Sequence, residues 1–162
     1  MPASSIYRHF KDKDDLIAAV IERSFASWLS AWQVPDVGDA HDRVVGMAMQ
    51  IAKALLDSPD FVRLGLMLAL ERRPVEPRAH AMFIQARAQA YHELTNTLRE
   101  LTPGLTDAQI DQLVTYAIAG ADGLFIVKEI GGDAVDLVRL FELHPHALYD
   151  TAARLISESA SE

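Results

Sequence analysis

Cysteine is absent from the 162 residues, which removes disulfide frameworks, thiolate metal sites and a cysteine nucleophile and points to a reducing, cytoplasmic setting. Long apolar runs are missing as well. The longest clean one, Leu64 to Leu70, is far below the roughly 18 residues that a membrane helix needs. The N-terminus has no signal-peptide pattern, so a soluble, non-exported chain without membrane partners is expected. There is no Glu-x-x-His or His-Glu-x-x-His pair, no glycine-rich phosphate loop and no Gly-x-Ser-x-Gly elbow, so neither an enzyme nor a cofactor is expected. Sustained two-residue alternation with β-branched enrichment is lacking too, which leaves little room for strands.

What is present fits one globular unit with a single core: half of the residues are apolar and 23% are charged, far from a disordered composition. The net charge of -8 argues against a protein whose whole surface binds polyanions. The charge is uneven, however. Arg8, Lys11 and Lys13 against Asp12 make residues 1–13 net +2, which leaves -10 for the rest. Phosphate chemistry is therefore confined to the first dozen residues.

Apolar residues recur near a 3.6-residue period throughout, which predicts an all-α chain. Leu16, Ile17, Val20, Ile21, Phe25, Trp28, Leu29 and Trp32 form one stripe, with Asp12 placed to cap and Pro35 and Gly38 to end the helix. A second helix starts near Asp39. A third starts at Pro59 behind a Ser58 cap, and its run Phe61 to Leu70 is apolar nearly all round, as expected of a helix surrounded by others. After Pro74 and Pro77, Ala79, Met82, Phe83, Ala86, Ala90, Leu94, Leu98 and Leu101 mark a long helix that stops at Thr102-Pro103-Gly104. Thr106 with Gln109 is a capping-box pattern that opens a helix ended by Gly131-Gly132. A short helix to about Leu143 and a last one from Pro145 to about Ser157 follow, with His144-Pro145 as the break.

The opening segment carries the chemistry. Ser4, Ser5, Tyr7, Arg8 and His9 bring hydroxyls, a guanidinium and an imidazole onto one short helix, followed by Lys11 and Lys13, with Ile6 and Phe10 as apolar anchors. These groups suit phosphate and base-edge contacts, although a short amphipathic terminus can carry them by chance. Ser5-Ile6-Tyr7-Arg8-His9-Phe10, followed by Lys13 and Leu16, resembles the recognition-helix signature of TetR-type transcriptional regulators. The resemblance implies that Ala3, Ser4, Ser5 and Arg8 face bases or sugar-phosphate, that Tyr7, His9 and Lys13 contact phosphates, and that Ile6 and Phe10 pack the helix-turn-helix. In that family two further helices precede the recognition helix, and these 162 residues do not include them. Residues 1–32 would then be the C-terminal part of a DNA-binding domain. Residues 33–162 would form an antiparallel helical bundle for effector binding and dimerisation.

Two more groups of residues complete the reading. Met47, Phe61, Met67, Met82, Phe83, Tyr91 and Tyr116 are flexible or flat side chains spread over four helices, and Arg87, His92 and Asp122 stand among them. They suit either a cavity for a mostly apolar ligand or ordinary core, and the resemblance favours the cavity. Gly120 and Gly123 permit close helix approach, and with Phe125, Ile126, Phe141 and Leu148 they are candidates for a homodimer interface. His144 and His146 are two apart, share no helical face and have no third ligand nearby in sequence, so no metal is expected. The resulting expectation is a cytoplasmic, ligand-responsive homodimeric repressor. The alternative is a helical ligand-binding or dimerisation module that does not bind DNA.

Overall fold

The structure is a computed structural model that describes residues 10–30, 32–71 and 78–159. It is all-α, 85% helical, with no strand among the described residues. The helices are α1 (Lys13–Ser30), α2 (Ala40–Asp57), α3 (Asp60–Leu70), α4 (Arg78–Leu101), α5 (Asp107–Gly131) and α6 (Leu137–Ser159), with a 3-10 turn at Gly132–Ala134 between the last two. Helix starts follow the caps. Asp12 Oδ1 accepts the Asp15 amide at 2.8 Å and Asp39 Oδ1 accepts the Asp42 amide at 2.9 Å. Thr106 and Gln109 form the reciprocal capping box of α5.

The chain divides into two compact units, one within Met1–Ser30 and Ala54–Gln89, the other within Ala31–Lys53 and Ala90–Glu162. This division falls inside α2 and α4. In the first unit α1 packs against α3. The Phe61 ring lies 5.0 Å from Phe25, 5.4 Å from Trp28 and 5.5 Å from Phe83, all four rings buried. Gly65 faces the Phe83 ring so closely that a Cβ would overlap it, so only glycine lets α3 approach α4 there. The N-terminus of α4 is capped from outside: Asp14 of α1 accepts the Arg78 amide at 2.8 Å and the Ala79 amide at 3.4 Å, and Asp15 pairs with the Arg78 guanidinium.

In the second unit α5 packs along α6. Ile110, Leu113, Val114, Phe125, Leu137 and Phe141 are buried. Gly132 leaves α5 at φ 55°, and the Lys128 ammonium donates to the carbonyls of Gly132 (2.8 Å) and Val135 (3.0 Å), closing the helix end.

Three expectations need correction. Pro145 does not break the chain but sits inside the continuous helix α6, with its ring fully buried. Proline's fixed φ is helical and it forfeits one backbone donor, an interior cost of about 3 kcal/mol that burial and packing can offset. Here the flanking histidines both reach neighbouring helices: His144 Nε2 donates to the Ala117 carbonyl of α5 at 3.0 Å, and His146 meets His41 of α2. Second, α3 buries Phe61, Val62, Gly65 and Leu68 on one face and leaves Met67 and Leu70 exposed, so it is not surrounded. Third, α1 ends at Ser30 and Trp32 lies beyond it, while Pro59 is the N-cap of α3 and not its first residue.

Candidate functional site

Ala3, Ser4, Ser5, Tyr7, Arg8 and His9 lie outside the described residues. What is described is the platform just after them. Asp12 caps α1, Asp15 accepts the Lys11 amide at 3.3 Å, and Lys11 and Lys13 stand exposed at this tight turn. The carboxylates hold the backbone of the turn, and the two lysines present positive charge at its surface. The next residue, Asp14, is the external cap of α4, so the turn that presents the lysines is fastened to a second helix of the same unit.

The ten candidate ligand-binding residues divide evenly between the units. In the first, Phe61 and Phe83 are packed in the aromatic cluster, the Arg87 guanidinium lies 5.8 Å from the centre of the Phe83 ring, Met82 is half-buried and Met67 is exposed. In the second, Met47 is buried and Asp122 half-buried. Tyr91 donates its hydroxyl to Asp111 at 3.2 Å, His92 is exposed beside Asn96 at 3.1 Å, and Tyr116 stands in solvent. Phe61, Phe83 and Arg87 are brought together in packing, while Met67 and Tyr116 are exposed.

The candidate interface residues also separate. Phe125 and Phe141 are buried within the chain, and Gly120 receives the His144 ring, so a Cβ there would collide with it. The contact of Gly120 with His144 joins α5 to α6 within one chain. Leu148 is half-buried, whereas Gly123 has no atom near its missing Cβ and Ile126 is exposed. No protein-family model matches this sequence, and no curated protein does either. The sequence reading missed Val127 and Ile130 on α5 and Val138 and Leu143 on α6, which are all exposed, as is Tyr116. Helix α5 with its 3-10 turn is long and apolar enough to cross a membrane by length and composition, yet only 22% of its most apolar stretch is buried. Its interruption by Asp111 and Asp122 hid it from a search for uninterrupted runs. The signal available was apolar character on every side of the helix.

Proposed function

We propose that the protein is a ligand-responsive transcriptional regulator of the TetR type, a cytoplasmic repressor that binds operator DNA as a homodimer through the segment from Ala3 to Lys13. The observation that carries this reading is the hydroxyl, aromatic and basic pattern Ser5 to Phe10, set before Lys13 and Leu16 at the start of a capped helix. Two such helices must stand about 34 to 36 Å apart to enter successive major grooves, which requires a dimer. The exposed apolar side chains of α5 and α6 support one: they are the kind of surface that a second copy covers. A mostly apolar effector that favours a different spacing of the two recognition helices would release the operator without any chemistry, so no catalytic group or cofactor is needed.

The test is a fluorescence-anisotropy titration of the full gene product, with any residues encoded upstream of Met1, on DNA fragments from its own locus at several salt concentrations. Specific binding is expected. Lys13→Ala and Tyr7→Phe should weaken binding to all sequences alike, and Lys13→Ala, which removes a charge, should also flatten its salt dependence. Binding that ignores both substitutions, or no binding at all, would replace this reading with a helical ligand-binding or dimerisation module.

A further inference from the structure

We propose a divalent-cation site at the start of α2, with His41, Asp39 and Asp42 as ligands and His146 of α6 as the residue that positions His41. It is independent of the regulator reading. One nitrogen of His41 and one carboxylate oxygen each from Asp39 and Asp42 lie within 4.8 Å of one another. Carboxylates in the first turn of a helix are ordinary capping residues, and Asp39 does cap α2. The imidazole is what goes beyond a cap. His41 and His146 are 105 positions apart, yet His41 Nε2 lies 2.8 Å from His146 Nδ1. Their rings are 4.7 Å apart, and Tyr149 meets His41 edge-on at 4.9 Å. Partners on α6 therefore fix both the position and the plane of the His41 ring.

The consequence is chemical. When His41 donates its Nε2–H to His146, its other nitrogen, Nδ1, carries a lone pair. That nitrogen lies 4.0 Å from Asp42 Oδ1, too far for a hydrogen bond; two ligands of a tetrahedral ion with bonds of about 2.0 Å stand roughly 3.3 Å apart, so a small turn of the Asp42 side chain brings the pair to ligating distance. A lone pair facing a carboxylate across such a gap is repulsive, and a metal ion relieves that repulsion as a proton on Nδ1 would. Asp39 uses one oxygen for the cap and has the other to give. A second-shell acceptor on the far nitrogen of a ligating histidine is the usual arrangement at metal sites, since it sets the tautomer and the ring orientation. One nitrogen and two oxygens, completed by water, suit Zn2+ or Ni2+ and suit Mg2+ poorly. The His144-Pro145-His146 run enters through His146 alone, because His144 is turned to the Ala117 carbonyl of α5.

Calorimetric titration of the intact protein with zinc chloride tests this, with magnesium chloride as the contrast and imidazole NMR as the local readout. One zinc ion per chain is expected, with the His41 Nδ1 signal shifting on addition and no heat from magnesium. His41→Gln should abolish binding. Asp42→Asn, which leaves the Asp39 cap acceptor in place, should weaken it roughly tenfold or more, and His146→Phe by roughly ten- to a hundredfold. Circular dichroism of each variant checks that the helices remain. His80, His92 and His144 remain in every variant as controls. Zinc binding of equal affinity in His41→Gln, a signal shift confined to those other histidines, or no saturable binding by the wild type would overturn the proposal.

Discussion

The two units hold themselves together differently. In the unit containing α1 and α3, three buried aromatic rings stand within 6 Å of a fourth, Phe61, and the apolar side chains left in solvent are scattered singly or in pairs over α2, α3 and α4. In the unit containing α5 and α6, the core is mainly aliphatic and the helices are also fastened by polar groups, among them His144 on the Ala117 carbonyl and Lys128 on two carbonyls. There the exposed apolar side chains concentrate on α5 and α6, two helices that already pack on each other. Hydrophobic stabilisation scales with area removed from water, so the first unit has much of its stabilising area inside, while the second leaves some for another surface to cover. A scattered exposed Leu needs no explanation, but a concentration of them does.

The sharpest way to break this contrast is to remove a ring. Phe61 is fully buried among three other aromatic residues, so Phe61→Ala should cost about 3 to 5 kcal/mol, the range for a large ring lost from a packed core. Urea unfolding followed by circular dichroism measures it. A loss below about 1 kcal/mol would mean that the aromatic cluster is not the core of its unit.

A smaller effect, of opposite sign in the two units, comes from glycine. In Gly65→Ala the new methyl meets the Phe83 ring and must displace it, an overpacking cost of about 1 to 3 kcal/mol. Gly123 has open space in the same position, so Gly123→Ala should stabilise the chain by up to about 1 kcal/mol through helix propensity alone. Gly123→Leu should leave each chain folded yet split the proposed dimer into monomers in light scattering. Were Gly123→Leu to remain dimeric, the face of α5 around Gly123 would not be the interface.

How much of this was legible before the structure follows from the range of each interaction. Caps act over three residues, and Asp12, Asp39 and Thr106 all mark helix starts where the structure has them. The α5 boundary at Gly131-Gly132 was legible for the same reason. Pro145 was misread because proline's preference for helix ends is local, while the contacts that hold α6 through it come from Ala117 and His41. Gly120 and Gly123 look alike in sequence, and only the placement of His144 shows that one serves the chain's own packing while the other stays open. His41, the partner of His146, lies 105 positions from it, beyond any local pattern. The residues proposed to face DNA rest on their motif alone, since all but Lys13 lie outside the described residues.

The smallest expected effect compares two ways of capping a helix. Helix α5 is capped by its own neighbours, Thr106 and Gln109, whereas α4 is capped by Asp14, which belongs to another helix 64 residues earlier. Each substitution, Thr106→Ala and Asp14→Ala, should cost about 1 kcal/mol, the usual value of an N-cap. The reach of the damage should differ. Losing Thr106 frays the first turn of α5 and nothing else, because its partners lie within three residues. Losing Asp14 releases the first amides of α4 and also removes one of the two carboxylates that join the start of α1 to Arg78, so the turn carrying Lys11 and Lys13 should loosen too. Amide hydrogen exchange distinguishes the two outcomes: faster exchange confined to residues just after Thr106 in one variant, and at both Arg78–Ala79 and the start of α1 in the other. Asp14→Asn keeps an acceptor for the two amides and should restore most of the protection of α4. If Asp14→Ala loosened α4 alone, the cap would be local in effect despite its distance in sequence, and the start of α1 would be held by Asp12 and Asp15 alone.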